Sequence, residues 1–294
     1  MKKLLYKAIN NLGYSIENKK NKQQNLIKPL LKFSHLDNFN LLILAKNYIL
    51  NLDDKFDDFI LSNDRNGFII SFGGLSIYVE SLEEFHILNE VFISDDYRFF
   101  LNKKSILIDI GTNIGIASLF FSKYEFIEEI YAFEPVKDTF DQAQYNFKLN
   151  KKKSKVVGFK NVGLGKDERK ETFLFDSKVK GNTGLRGSLS PSYSNNNNVD
   201  KREVQIVNAS TEINAIINKI GDKKIVIKMD CEGAEYEVLE DLSATGTLKN
   251  VDLIMIEWHD KGAQIIEELL INSGFNFFAR DLGSISGLIY AYKK

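Results

Sequence analysis

Cysteine and proline are scarce in this 294-residue chain, which contains one cysteine, Cys231, and three prolines. A single cysteine excludes an intrachain disulfide and a cysteine-based zinc site. Long apolar runs are also absent, since the longest (residues 41–45) falls far short of the roughly 20 residues that a membrane-spanning helix needs. The 39 basic and 40 acidic side chains leave a formal net charge of -1, so no overall field draws the chain to nucleic acid. With 44% apolar residues, this composition predicts an ordinary folded protein.

Residues 1–100 predict an extension made of helices and a β-hairpin. Helical spacing of apolar residues predicts helices over 4–12, 26–31 and 82–92, and Gly73-Gly74 joins two β-rich runs as a tight turn would. Up to Ser34 there are eight lysines and one acid, Glu17. We interpret this region as a solvated surface, with peripheral contact to an acidic partner or membrane as the alternative. The early lysines lead into polar residues, so we expect no secretion signal and a cytoplasmic location.

Residues 101–294 alternate between strand and helix patterns. Strands are predicted over 105–110, 129–133, 156–159, 225–229, 251–256, 275–278 and 288–292, and helices over 114–124, 138–150, 234–242 and 263–272. Successive βα units predict a parallel sheet covered by helices, and the last two strands, which no helix separates, predict an antiparallel edge. A polar insert at about 178–202, preceded by a hairpin strand over 171–175, is either a substrate-covering loop or disordered.

The first chemical motif is Asp-Ile-Gly-Thr-Asn-Ile-Gly, residues 109–115, between the first predicted strand and its helix. Glycines here let the backbone approach a ligand, and a helix N-terminus presents free N–H groups. The spacing is not the G-x-G-x-x-G of dinucleotide sites, and Asp109 would repel a diphosphate. An acid at this position suits an amine-bearing ligand such as S-adenosylmethionine.

The second motif is Ala-Phe-Glu-Pro, in which Glu134 ends the next strand. A carboxylate at a strand end can accept hydrogen bonds from both hydroxyls of a ribose. Pro135 fixes the direction of the chain directly after it.

The third and fourth motifs follow two later strands and carry ionisable groups. Lys-Met-Asp-Cys-Glu-Gly-Ala-Glu ends the strand at 225–229, and Ile-Glu-Trp-His ends the strand at 251–256. Ligands of open parallel sheets bind beyond the carboxyl ends of the strands, so Lys228, Asp230 and Glu232 are expected near the cofactor. His259 is a candidate general base.

These four motifs, in this order, resemble those of the FkbM family of S-adenosylmethionine-dependent methyltransferases. The resemblance covers roughly residues 85–260 and implies a class I methyltransferase (Rossmann-like) α/β fold: a seven-stranded, mostly parallel sheet with an antiparallel final hairpin. It implies O-methylation of a hydroxyl on a sugar, a glycan or a similar small molecule. It places the cofactor-binding residues at Asp109, Gly111, Thr112, Asn113, Gly115, Glu134 and Pro135.

The sequence leaves the deprotonation of the acceptor open between two mechanisms. In one, His259 or Asp230 takes the proton while Lys228 and Glu232 arrange the acceptor. In the other, a divalent metal bound through Asp230, Glu232 or Glu257 polarises a sugar diol.

Two further functions stand as alternatives to the methyltransferase. A scaffold could retain the fold without catalysis, with the basic N-terminus docking a partner. An NAD-dependent oxidoreductase is disfavoured by the glycine spacing and by the antiparallel ending.

Overall fold

The structure, a computed structural model, describes residue 12 and residues 27–190, 192–193 and 199–293. The predicted helix over 4–12 and most of the basic N-terminal surface lie outside these residues. None of the helices described is both long and apolar enough to cross a membrane.

The N-terminal part of the described chain is a small three-stranded sheet flanked by helices. Its elements are a 3-10 helix (Lys28–Phe33), α1 (Phe39–Leu44), α2 (Lys46–Lys55), β1 (Ile60–Asp64), β2 (Gly67–Phe72), β3 (Leu75–Val79) and α3 (Leu82–Phe92). The predicted hairpin is present, with Gly73 and Gly74 both at positive φ. The helix predicted over 26–31 is a 3-10 helix that begins at Lys28, and β1 was not predicted. The helix predicted over 82–92 is α3, whose N-terminus Ser81 and Glu84 close as a capping box.

The remaining elements alternate between strand and helix as the sequence predicts, except over residues 156–208, where four strands follow one another with no α-helix between them. They are β4 (Ser105–Ile110), α4 (Ile116–Phe121), β5 (Ile127–Phe133), α5 (Lys137–Leu149), β6 (Val156–Lys160), β7 (Gly163–Gly165), β8 (Arg169–Phe175), β9 (Asp200–Asn208), α6 (Ala209–Ile217), β10 (Lys224–Met229), α7 (Glu235–Ala244), β11 (Leu253–His259), α8 (Gln264–Asn272), β12 (Phe275–Asp281) and β13 (Ser286–Lys293). The first helix of this set is shorter than predicted because the left-handed Gly115 (φ 88°) precedes it and Ser122 ends it. Strand β11 is longer and includes the whole fourth motif.

Seven of these strands form the central sheet, in the order β12-β13-β11-β10-β4-β5-β6. Five neighbouring strands, β11, β10, β4, β5 and β6, run parallel to one another, whereas β13 is antiparallel to both β11 and β12. This is the class I methyltransferase topology, as predicted. Alternate residues of the strands enter two separate buried clusters, so both faces of the sheet are covered.

A separate three-stranded sheet, in the order β7-β9-β8, carries the polar insert. The predicted hairpin strand at 171–175 is β8, but its antiparallel partner is β9, on the far side of the insert. The insert is therefore a long excursion between two paired strands. Its ends are fixed by that pairing.

The N-terminal part packs directly on the central sheet. Asn146 and Asn150 of α5 hydrogen-bond through their side chains to the backbone of Tyr78 and Ser76 in β3. The apolar side chains of the N-terminal part belong to the same buried cluster as those of α4 and of one face of the central sheet. This packing places α3 beside the carboxyl ends of the parallel strands.

Candidate active site

A cavity of about 250 Å³ opens at the carboxyl ends of β4, β5, β10 and β11. The turn after β4, the strand ends, α3 and the insert contribute its walls. In an open parallel sheet this end is where the chain reverses between strands, and it is where ligands bind. All four sequence motifs therefore meet around one cavity.

The turn after β4 depends on glycine at residue 111. Gly111 has a φ of 75°, and a Cβ at this position would lie 1.8 Å from the backbone oxygen of Asp230. Thr112 is buried and donates from Oγ1 to the Asp109 carbonyl, while Asn113 also has a positive φ of 52°. The close approach of two strand ends thus excludes any side chain at 111.

Lys228 supports this turn from within the protein. Its buried Nζ donates to the Gly111 carbonyl at 2.8 Å and lies 3.4 Å from Asp109 Oδ1. Burial alone would lower the pKa of Lys228, but the carboxylates of Asp109 and Asp230 hold it above its ordinary value. Lys228 thus connects the third motif, to which it belongs, with the turn of the first motif.

Asp109 has one oxygen committed and one available. Its Oδ2 accepts from Ser118 Oγ at 2.6 Å, whereas Oδ1 is buried and has no hydrogen-bond partner among the described residues. Buried acceptors are normally satisfied by hydrogen bonds, and Oδ1 has only the Lys228 ammonium, 3.4 Å away, as an ion-pair partner among the described residues, so it can still accept from a further donor.

Glu134 is held in place by backbone N–H groups. Asn113 N and Val136 N donate to its two carboxylate oxygens at 2.9 Å each. Asn161 donates to the carbonyls of Glu134 and Pro135, which fixes the turn that follows β5. Burial raises the pKa of Glu134 to about 7, although the two hydrogen bonds act in the opposite direction.

Asp230, Glu232 and His259 converge at the cavity's other end and form what we call the acidic cluster. One ligand atom from each lies within 4.8 Å of the others. His259 Nε2 is 3.5 Å from Glu232 Oε1 and 3.6 Å from Glu257 Oε1. The third and fourth motifs thus meet at this cluster, and Glu257 lies beside it.

Glu235, the last residue of the third motif and the first of α7, lies beneath this cluster and organises it. The side chain is fully buried, and its Oε1 accepts from His259 N at 2.8 Å and faces His259 Nδ1 at 3.1 Å. Its Oε2 accepts from Gly233 N, in the turn that contains the left-handed Glu232. Glu235 therefore joins the third motif to the fourth.

The charges around His259 outweigh its burial. Burial alone would lower the pKa of the imidazole, but Glu235 and Glu257, with further carboxylates nearby, raise it to about 11. Burial raises the pKa of Glu232 to about 7, and the neighbouring His259 and Arg186 limit that rise. The cluster therefore consists of one imidazole surrounded by several carboxyl groups.

The described part of the insert covers the site. Arg186 is buried and donates to Glu232 Oε2 at 2.8 Å and to both oxygens of Asp260. Gly184 packs so closely that a Cβ there would lie 2.5 Å from Glu232 Cβ. Of the two expectations for the insert, these residues fit a covering loop. Sequence reasoning did not single out Arg186, although glycines at 184 and 187 lie close to it on either side.

A second contact holds the insert to the N-terminal part. Lys180 is buried and its Nζ pairs with Glu80, Glu84 and Gln142, with a distance of 3.1 Å to Glu84. Gly181 N and the Asn182 side chain donate to Glu83 of α3, at 3.0 and 2.7 Å. The insert thus spans the cavity from α3 to the acidic cluster.

Comparison with known families gives one match over this region. The profile described as "Methyltransferase FkbM domain" matches residues 109–277, which include all four motifs and more than half of the chain.

Individual relatives are distant. The AMB antimetabolite synthetase AmbE of Pseudomonas aeruginosa is 24% identical over 238 residues, which cover 69% of this chain and only 11% of AmbE, so the chain spans about a tenth of that protein. The crystal structure of methyltransferase FkbM from Methylobacillus flagellatus KT is 13% identical, with a TM-score of 0.43, over 85% of this chain and 60% of that one. M. jannaschii TYW2 in complex with AdoMet is 12% identical, with a TM-score of 0.39, over 79% and 88%.

Proposed function

The chain belongs to the FkbM methyltransferase family, and from this premise we propose that it transfers a methyl group from S-adenosylmethionine to a hydroxyl of a sugar, a glycan or a similar small molecule. The family predicted from the four motifs is confirmed by the match over residues 109–277. The single observation that carries the proposed function is the meeting of the four motifs around one cavity.

The cofactor end of the cavity fits S-adenosylmethionine, which when bound supplies an electrophilic methyl group. Asp109 Oδ1, which accepts no hydrogen bond from the described residues, is a buried acceptor suited to the ammonium group of the methionine part of the cofactor. The Glu134 carboxylate is the acceptor for the ribose hydroxyls. Gly111 leaves room for the ligand beside the backbone because no side chain intervenes.

The acceptor end of the cavity is the acidic cluster. Methyl transfer breaks the S–C bond, forms an O–C bond and releases the proton of the acceptor hydroxyl. We place that deprotonation at Asp230, which converges there with Glu232 and His259. With its pKa raised to about 11, His259 already carries a proton at neutral pH, so its role in this proposal is to hold the surrounding carboxylates. Lys228 lies behind them and holds the Gly111 turn, so its role in this proposal is to support the cofactor site.

The acceptor is proposed to be a small molecule and not a nucleic acid. Carboxylates dominate the cavity wall on the acceptor side: Glu83, Glu90, Asp96, Asp230 and Glu257. The two lysines of the lining, Lys180 and Lys228, are both paired internally with carboxylates. A phosphate backbone would be repelled by such a wall.

The test is binding of S-adenosylhomocysteine to the full chain by calorimetry. Wild type is expected to bind one molecule, and Glu134→Gln is expected to weaken binding about 10–100-fold because a hydrogen bond to a charged group is lost. Glu129→Gln is the matched control, since Glu129 lies on the same strand but pairs with Lys223 at the other end. Its affinity should equal that of wild type.

Thermal unfolding of each variant separates lost binding from lost folding. Absence of binding by a folded wild-type chain would overturn the methyltransferase proposal and leave the scaffold as the better reading. Equal losses in Glu134→Gln and Glu129→Gln would show that the ribose assignment is wrong.

A further inference from the structure

We propose that the acidic cluster is a binding site for one divalent cation, with Asp230, Glu232 and His259 as its protein ligands. One imidazole and two carboxylates form a donor set suited to Mn²⁺ or Mg²⁺. The ligand atoms lie within 4.8 Å of one another, and three protein ligands leave coordination positions open toward the cavity. The site concerns cation binding and does not depend on the methyl-transfer proposal.

The buried histidine is oriented as a metal ligand is. His259 is 3% exposed, its Nδ1 faces the fully buried Glu235, and its Nε2 is turned toward Glu232 and Asp230. In the neutral imidazole that a metal requires, Nδ1 would keep its proton for Glu235, and the ion would displace the proton from Nε2. A histidine ligand commonly donates its second ring N–H to a carboxylate, which fixes its tautomer and ring plane. Glu235 occupies that supporting position.

The spacing of the ligand atoms also fits a shared ion. The distance of 3.5 Å between His259 Nε2 and Glu232 Oε1 is longer than the ~2.7–3.2 Å of an N–H···O hydrogen bond. Two ligands that are each about 2.1 Å from one ion lie roughly 3.0–3.4 Å apart. A slight contraction of the cluster would therefore bring both atoms to bonding distance.

The two carboxylates are each positioned by a neighbouring cation. Arg186 binds Glu232 Oε2, which leaves Oε1 facing His259. Asp230 has only the distant Lys228, 3.8 Å away, as an ion-pair partner among the described residues. Its carboxylate consequently remains available at the cavity wall.

The surrounding charge favours a dication over a single proton. The ion-pair network at the cluster contains two basic side chains, Lys228 and Arg186. It contains six carboxylates, which are Asp109, Asp230, Glu232, Glu235, Glu257 and Asp260. When the carboxylates are ionised, three negative charges are left over with His259 protonated and four with His259 neutral, as a metal ligand is. Opposite charge in a desolvated site is strongly attracted.

This ligand set differs from the one that the sequence suggested. The metal mechanism that the sequence left open used Asp230, Glu232 or Glu257 and did not include His259. In the structure Glu257 lies beside His259, 3.6 Å from Nε2, and outside the group of three convergent atoms. Separate substitutions of Glu257 and His259 therefore distinguish the two ligand sets.

The experiment is a titration of Mn²⁺ into the chelator-treated full chain without any cofactor, followed by electron paramagnetic resonance. Wild type should bind one Mn²⁺. Asp230→Asn and His259→Gln should each weaken binding at least about 100-fold, and Glu235→Gln about 10–100-fold. Glu257→Gln, the matched control, should change the affinity less than about 10-fold.

Binding of S-adenosylhomocysteine is measured on the same samples and separates this inference from the proposed function. A wild-type chain that binds S-adenosylhomocysteine but no Mn²⁺ would overturn the cation site and leave the methyltransferase intact. Mn²⁺ binding that survives Asp230→Asn, which lies at the cavity wall and is not needed for folding of the core, would equally overturn it. A loss of at least about 100-fold in Glu257→Gln, with no loss in His259→Gln, would replace our ligand set with that of the sequence.

Discussion

Burial and ligand binding both affect whether the Glu134 carboxyl group is protonated, and they act in opposite directions. Its pKa is raised to about 7 by burial, so half of the carboxyl groups are protonated at neutral pH. The ribose hydroxyls of the proposed cofactor require the ionised form, because a carboxylate accepts hydrogen bonds with both oxygens. Protonation therefore competes with binding.

We expect the affinity for S-adenosylhomocysteine to fall as the pH is lowered from 8 to 6, by up to about tenfold. The sign follows from linkage: the bound state favours loss of a proton whose pKa in the free protein is about 7, so affinity is complete above pH 7 and declines below it. Calorimetry across this range measures the effect.

Glu134→Gln is the control for that profile, since a glutamine side chain does not titrate. Glu232 also titrates near neutrality, and only a profile that flattens in Glu134→Gln assigns the proton to residue 134. A wild-type profile without slope would contradict the raised pKa.

At the scale of elements, the insert covers the cavity because its side chains contact the elements on either side. It lies between β8 and β9, and its buried Lys180 and Arg186 hold it to α3 and to the acidic cluster. Charges in such desolvated positions are stable only while their partners remain. The cover over the cavity is thus maintained by paired charges.

Lys180→Met is expected to lower the free energy of unfolding by about 3 kcal/mol, because it leaves Glu84 fully buried without its cation. Denaturant unfolding measures this loss. Adding Glu84→Gln to the variant removes the unpaired charge and should recover part of it.

Lys170→Met provides the comparison, since Lys170 and Glu203 form an exposed ion pair between β8 and β9. We expect no measurable change in that variant. Equal stabilities of the two methionine variants would show that Lys180 is not a structural clamp.

At the scale of the whole molecule, residues 27–100 share a buried core with the central sheet. Every residue of α4 is buried, and Phe120 of this helix packs edge-on against Phe92 of α3 with ring centroids 5.4 Å apart. The division predicted from the sequence, with an extension over 1–100 and a methyltransferase domain over 101–294, stays a prediction. We propose that the second segment needs the first in order to fold.

A chain containing only residues 101–294 is expected to be insoluble or to lack a cooperative unfolding transition, since one apolar face of its sheet and helices would be exposed. Solubility and thermal unfolding measure this. Co-expression of residues 1–100 as a separate chain should restore solubility and a cooperative unfolding transition. Cooperative unfolding and S-adenosylhomocysteine binding by 101–294 alone would contradict the proposal.

Much of the fold was predictable because its signals are local. Strand and helix patterns alternate along residues 101–294, and the missing helix between the last two strands predicted the antiparallel edge. Strands β1, β7 and β9 were missed, since they are short or polar and depend on pairing with distant partners. The extent of α4 was also misjudged, because its limits depend on backbone turns at both ends.

The candidate site was predictable only in part. Strand ends placed Asp109, Glu134, Asp230 and His259 around one crevice, because parallel strands finish at the same edge. Glu235 was assigned to a helix end, and Arg186 was not singled out. Their contacts join residues 24 and 46 positions apart, and no local pattern reveals them.

The sequence by itself predicted the family, the alternation of strands and helices, the antiparallel edge of the sheet and the strand ends that carry the four motifs, since each follows from motifs and periodicities within a few tens of residues. The tertiary structure alone decided which atoms meet there. It turned Lys228 inward to support Gly111, set Glu235 beneath His259 and laid the insert across the cavity. Burial and the pairing of charges select these contacts, and both depend on how distant segments pack together.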